Sequence, residues 1–116
     1  MNFKELRIWQ QGMAMVKSVY IVMRKMPKEE MFSLTNQIKR ASVSVPSNIA
    51  EGQARGTKEF LHFLTIAQGS LSEVYTQLVL TVDLEMINQA EIAPILLDIE
   101  SLSKQINSLK TKLKAL

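Results

Sequence analysis

A line of five polar side chains along one predicted helix holds the densest set of reactive groups in the chain. Arg40, Ser44, Asn48, Glu51 and Arg55 recur at spacings of four, four, three and four. Residues three and four apart stack on the same side of an α-helix, so these groups come within reach of one another. They could bind a ligand. We favour a structural network that fixes helix register or subunit geometry, because the line has no nucleophile paired with a general base.

The rest of the sequence offers few catalytic groups. It has no cysteine and a single histidine, His62, which excludes thiol chemistry and zinc–thiolate sites. No serine has a histidine at helical spacing to activate it. Glu51, Glu59 and Glu73 do not follow the carboxylate and histidine spacing of di-iron helical bundles. We therefore expect a protein that is not an enzyme and that needs neither a metal nor another cofactor.

The first predicted helix is apolar on one side and basic on the other. Residues 1–26 carry five basic side chains and one acidic side chain. Lysine and arginine aligned on a helix can neutralise phosphates, although such a face often serves only solubility. Lysines near the end of the chain could extend the same surface. The candidate nucleic-acid-binding residues are Lys4, Arg7, Lys17, Arg24, Lys25, Lys104, Lys110, Lys112 and Lys114.

Helical periodicity predicts four helices, at about residues 3–26, 34–53, 57–85 and 89–115. From Ile92 to Leu116 the last one carries isoleucine and leucine at alternating spacings of three and four, the seam of a helix packed on one side. Ser70 and Glu73 lie beside the apolar face of the third helix and join the predicted polar network. Short connections predict an all-α, antiparallel up-down-up-down four-helix bundle. It forms a single domain of residues 1–116.

The apolar arc of the first helix is wide enough for two contacts. It covers about four-sevenths of the circumference, roughly twice what one contact in a bundle needs. With Leu6 at heptad position a, positions a and d are expected to face the core and positions c and g a second subunit. This pattern predicts a homo-oligomer, which head-to-tail contacts with rotational symmetry would close into a ring. The expected interface residues are Ile8, Met15, Val19 and Val22.

Composition limits the classes of protein that remain. The chain has 116 residues and a net charge of +3, which permits anionic partners without requiring them. No apolar run approaches the ~20 residues that span a bilayer, and the N-terminus lacks the apolar core of a signal peptide. We expect a cytoplasmic protein that has no contact with a membrane.

Nearly the whole chain resembles one bacterial family. The most specific segments are QIKRASVSVPSNIAEGQARG at residues 37–56 and EFLHFLTIAQGSLSE at residues 59–73. FKELRIWQQGMAMV and PKEEMFSLTNQ fit the same pattern. They resemble the four-helix-bundle proteins encoded in intervening sequences of 23S rRNA genes. One departure is Leu84-Glu85-Met86-Ile87, where the family often has a glycine followed by an aromatic residue.

The resemblance implies a partner as well as an assembly. Relatives in this family form ring-like homopentamers. A looser similarity extends to the accessory protein of diversity-generating retroelements, a basic pentamer that binds nucleic acid and works beside a reverse transcriptase. In a ring the basic helix faces repeat and their charges add. The resulting hypothesis is an oligomeric accessory protein that binds RNA or DNA with little sequence selectivity. The alternative is a protein-interaction scaffold with no direct role in binding nucleic acid.

Overall fold

Four α-helices make up most of the computed structural model, which describes residues 2–116. Met1, the first residue of the predicted domain, lies outside the described residues. Short 3-10 turns precede the first helix at Phe3–Glu5 and the second at Lys28–Glu30. The described residues contain no β-strand, so the predicted all-α class is confirmed. The helices are α1 at Arg7–Met23, α2 at Leu34–Gln53, α3 at Thr57–Asp83 and α4 at Gln89–Lys114.

The helices pack side by side around one apolar core in an elongated body of 47 × 22 × 20 Å. Each helix contacts the next one along the chain, and α4 also contacts α1. The seam of α4 is buried at Ile92, Ile95, Ile99, Leu102 and Ile106. Full burial of one such side chain stabilises the fold by roughly 1.5–3 kcal/mol, so this seam holds α4 against the other helices.

The start of α1 differs from the prediction of one helix from about residue 3 to 26. Leu6 has an extended backbone, with φ −72° and ψ 128°, and it separates the first 3-10 turn from α1. The Lys4 backbone N–H donates to Asn2 Oδ1 at 2.9 Å, which caps that turn. The Phe3 ring meets the Trp9 ring edge to face with centroids 5.4 Å apart. These two local contacts stabilise a separate turn in place of a longer α1.

The predicted orientation of α1 is wrong. All four residues expected at a subunit interface, Ile8, Met15, Val19 and Val22, are instead buried in the core of the chain itself. Gly12 lies against α2 on the buried side of α1: a Cβ placed on Gly12 would lie 3.4 Å from the Cβ of Pro46, an ordinary van der Waals distance. The side of α1 that carries Gly12 therefore faces α2 and the core. The opposite side of the wide apolar arc, which includes Met13 and Tyr20, is therefore left exposed.

The turn between α2 and α3 depends on two glycines. A Cβ on Gly52 would lie 2.5 Å from the Cβ of Phe63, so the two helices approach closely only with glycine there. Gly56 has φ 93° and ψ 170°, a backbone conformation that is essentially restricted to glycine. One glycine thus permits close packing and the other permits the reversal of the chain.

The end of α3 is a Schellman motif with glutamate at the position that favours glycine. The Met86 N–H donates to the Thr81 carbonyl at 2.8 Å, and the Glu85 N–H donates to the Val82 carbonyl at 2.9 Å. Glu85 has φ 59°, in the left-handed region. A side chain in this region costs roughly 1–2 kcal/mol relative to glycine.

Replacement of this glutamate should stabilise the protein. We expect Glu85→Gly to raise the free energy of unfolding by about 1 kcal/mol, measured by urea denaturation. Glu85→Ala is the matched control, because it removes the charge and keeps the unfavourable φ. Equal stabilities of the two variants would show that the charge, and not the backbone, limits stability at this position.

Candidate nucleic-acid interface

Arg7 at the start of α1 and Lys112 near the end of α4 line the same surface groove. Neither side chain forms an ion pair with any of residues 2–116. Leu6, Ile8 and Leu109 form an apolar part of the groove wall, so the two unpaired cations lie beside apolar side chains. The groove is lined by Leu6, Arg7, Ile8, Gln105, Ser108, Leu109 and Lys112.

Further basic side chains lie near the start of α1, the end of α2, the start of α3 and the end of α4. Contacts join these helix ends: the start of α1 shares the groove with the end of α4, and Gly52 of α2 lies against Phe60 and Phe63 of α3. We call this region the basic end, and it contains seven basic and three acidic residues. The opposite end has three basic and five acidic residues. The basic end comprises Lys4, Arg7, Arg55, Lys58, Lys110, Lys112 and Lys114 with Glu5, Glu51 and Glu59. The opposite end comprises Arg24, Lys25 and Lys28 with Glu29, Glu30, Asp83, Glu85 and Glu91.

The nine candidate binding residues therefore do not form one surface. Lys4, Arg7, Lys110, Lys112 and Lys114 lie at the basic end, Lys17 and Lys104 lie along the body, and Arg24 and Lys25 lie at the opposite end. Within residues 2–116, the side chains of two of the nine have polar partners. Lys25 Nζ donates to both carboxylate oxygens of Glu91 at 2.7 Å. Lys110 Nζ donates to Gln68 Oε1 at 2.9 Å, a neutral partner that leaves the charge uncompensated.

One pair from the predicted polar network joins α2 to α3. The Ser44 and Ser70 hydroxyls hydrogen-bond to each other across the two helices. Asn48 Nδ2 donates to the Ser44 carbonyl at 2.7 Å. Gln77 Nε2 donates to Glu73 Oε2 at 3.4 Å, while the Arg40 side chain is exposed. The hydroxyl contact links the two helices directly, and the other two bonds join residues of one helix.

Glu51 pairs with Arg55, which is one of the partners expected for it on helical spacing. In the single chain this pair is not buried, because the two side chains are 50% and 51% exposed. The Arg55 guanidinium also lies 5.2 Å from the centroid of the Phe63 ring. An exposed pair four residues apart on a helix contributes about 0.3–0.5 kcal/mol, well below the ~3–5 kcal/mol at stake in a buried pair.

Two further features bear on the kind of site present. Within residues 2–116, no three His, Asp or Glu side chains are grouped so that they could hold a metal ion. None of the helices in this part of the chain combines the length and the apolar character that crossing a membrane requires.

Residues 4–108 match the family model described as 23S rRNA-intervening sequence protein. This chain belongs to that family. The matched range begins in the turn before α1 and extends into the last turns of α4, so it includes parts of all four helices. The family resemblance predicted from the sequence is confirmed. No curated protein matches the chain closely enough to count as a relative.

This family member also has an apolar groove that the sequence analysis missed. We call it the α1–α2 groove, and it is lined by Trp9, Met13, Val16, Val43, Pro46, Ser47 and Ala50. Trp9, Met13, Val16 and Tyr20 recur at spacings of four, three and four, so the pattern was visible in the sequence. These four residues were expected to face the core, because the wide apolar arc of α1 does not reveal which of its sides faces inward.

Proposed function

We propose that this protein is a non-enzymatic, oligomeric accessory protein that binds RNA or DNA through its basic end. The excess of seven basic over three acidic residues at that end is the observation that carries the proposal. The family description names a sequence within the 23S rRNA gene, which makes RNA the first ligand to test. The proposed site of action is the cytoplasm.

Phosphate is the proposed point of contact. Arg7, Lys112 and their neighbours supply cations, and contacts from cations to phosphate carry no direct information about base sequence. Stacking on bases needs free aromatic rings beside the cations. The Trp9 ring near Arg7 already packs against Phe3, and the exposed Phe32 lies in the connection between α1 and α2, away from the basic end. Binding is therefore weakly selective for sequence and steeply dependent on salt.

Assembly would multiply this charge. We propose a ring-like homo-oligomer, a pentamer by resemblance to the family, of antiparallel up-down-up-down bundles. The Lys25–Glu91 contact between the end of α1 and the start of α4 supports that course of the helices. A ring would repeat the basic end once per subunit and so enlarge the surface offered to one nucleic acid. By the looser resemblance, a reverse transcriptase is the proposed protein partner.

The second candidate function is a protein-interaction scaffold whose basic residues serve only solubility. The exposed apolar α1–α2 groove favours this reading, since a contiguous apolar patch often marks a protein contact. The two functions differ in one measurable property, the affinity of the purified protein for nucleic acid.

Fluorescence anisotropy with labelled single-stranded RNA and labelled duplex DNA tests the proposal. We expect binding of both at low salt, with log affinity falling by about 0.7–0.9 for each phosphate neutralised per tenfold rise in salt. Sequence variants of the RNA should bind with similar affinity. No binding at protein concentrations on the order of tens of micromolar, within the usual range for nonspecific binding, would favour the scaffold instead.

A further inference from the structure

The α1–α2 groove lies open on the surface beside the contact of Gly12 with Pro46. The lining residues Met13 and Val43 are 38% and 39% exposed. Tyr20, one turn beyond Val16 on α1, is 40% exposed. These side chains follow helical spacing on both helices, so the apolar strip continues from Trp9 towards Tyr20. A groove of about 350 Å³ is present along this strip, large enough to admit an aromatic ring.

The surroundings of the groove are basic. Lys17 is exposed and lies one helical turn from both Met13 and Tyr20. Lys39 Nζ lies 4.9 Å from the centroid of the Tyr20 ring. Neither α1 nor residues 34–50 of α2 contain an acidic side chain. The groove therefore suits a ligand that is both apolar and acidic.

The chain carries such a segment at the connection between α1 and α2. Glu29, Glu30, Met31 and Phe32 follow one another there, and the Phe32 side chain is 90% exposed. The segment has a defined backbone, because the Met31 N–H donates to the Lys28 carbonyl and the Ser33 N–H to the Glu30 carbonyl, each at 3.1 Å. Because the backbone of this turn is already ordered, docking of the exposed phenylalanine would lose little backbone conformational entropy.

We propose that residues 29–32 of one copy dock into the α1–α2 groove of a second copy of this chain. Phe32 and Met31 enter the apolar strip, and Glu29 and Glu30 approach Lys17 and Lys39 of the other copy. The projecting segment and the groove are different surfaces, so the contact is heterologous and repeats around a ring if the rotation closes. This inference rests on the oligomer in the proposed function and identifies the surfaces that meet.

The area that Phe32 can bury is too small to form a stable interface by itself. One aromatic side chain buries roughly 150–250 Å², whereas a stable interface buries about 800 Å² per partner. The exposed walls of the groove must therefore also be covered by the second copy. Phe32 then acts as an anchor near the centre of a larger interface, where truncation to alanine has its largest effects.

Sedimentation velocity on the full-length chain over a range of concentrations tests the anchor. We expect Phe32→Ala to raise the concentration of half-dissociation by on the order of tenfold or more. Leu97→Ala is the matched control, because Leu97 is a 66% exposed apolar residue on α4, away from the groove, and the wild-type assembly should persist. Both positions are exposed, so each variant should melt near the wild-type temperature.

A cross-linking experiment locates the contact. The chain has no cysteine, so Phe32→Cys and Val43→Cys can be introduced into separate preparations, mixed and treated with a short bis-maleimide. We expect a cross-linked pair that contains one chain of each kind, with a far lower yield when Leu97→Cys replaces Phe32→Cys.

The possible outcomes separate this contact from the wider proposal. A wild-type oligomer that Phe32→Ala does not weaken, or equal cross-linking by the Leu97→Cys control, overturns the contact and leaves the nucleic-acid function standing. A wild-type chain that sediments as a 13.1 kDa monomer overturns the contact and the proposed oligomer together.

Discussion

Reversing Arg7 and Lys112 to glutamate should lower the affinity for RNA by at least about tenfold at low salt. Each substitution removes a cation from the groove between α1 and α4 and places an anion there, so an attraction to phosphate becomes a repulsion. If each residue neutralises one phosphate, the slope of log affinity against log salt becomes shallower by roughly 1.4–1.8. Anisotropy titrations at several salt concentrations measure both quantities.

The matched control changes the same amount of charge at the opposite end. Arg24→Glu combined with Lys28→Glu also lowers the net charge by four, but among side chains that already include five acids. We expect this control to retain most of the affinity, with the assembly of both double variants verified by sedimentation. Equal losses in the two variants would mean that binding follows the net charge of the protein and has no preferred surface.

The largest expected effect on stability comes from Gly52→Ala. The added Cβ would lie 2.5 Å from the Phe63 Cβ and close to the Phe60 backbone, so α2 and α3 must move apart. Overpacking of this kind costs about 1–3 kcal/mol, more than the ~0.5–1 kcal/mol that alanine gains over glycine within a helix. Urea denaturation should therefore show a net loss in the free energy of unfolding.

Gly69→Ala is the control for this prediction. Gly69 also lies inside a helix, but no atom that could clash lies within 4 Å of its Cβ position. The same substitution there should raise the free energy of unfolding by about 0.5–1 kcal/mol. If both variants were stabilised, the close approach of α2 and α3 at Phe63 would not limit the stability of the fold.

Helix periodicity predicted most of the secondary structure. It also predicted which side of α4 faces the core, but it did not do so for α1. The seam from Ile92 to Ile106 has polar residues on its other sides, so only one rotation of α4 buries its apolar surface. The arc of α1 is too wide for that argument, because two rotations bury similar amounts of apolar surface. The packing of α1 against the other helices, which joins residues far apart in sequence, decided between them and buried Ile8, Met15 and Val19.

For the candidate binding surface, too, the sequence determined some features and the tertiary structure determined others. The sequence by itself determined which residues are basic, which helices carry them, and which family the chain resembles. The tertiary structure alone decided that Arg7 and Lys112 share a groove and that Lys25 meets Glu91 at the other end. Local spacing predicts neighbours within one helix, but neighbours from different helices depend on how the whole core packs. That packing brings the start of α1 beside the end of α4.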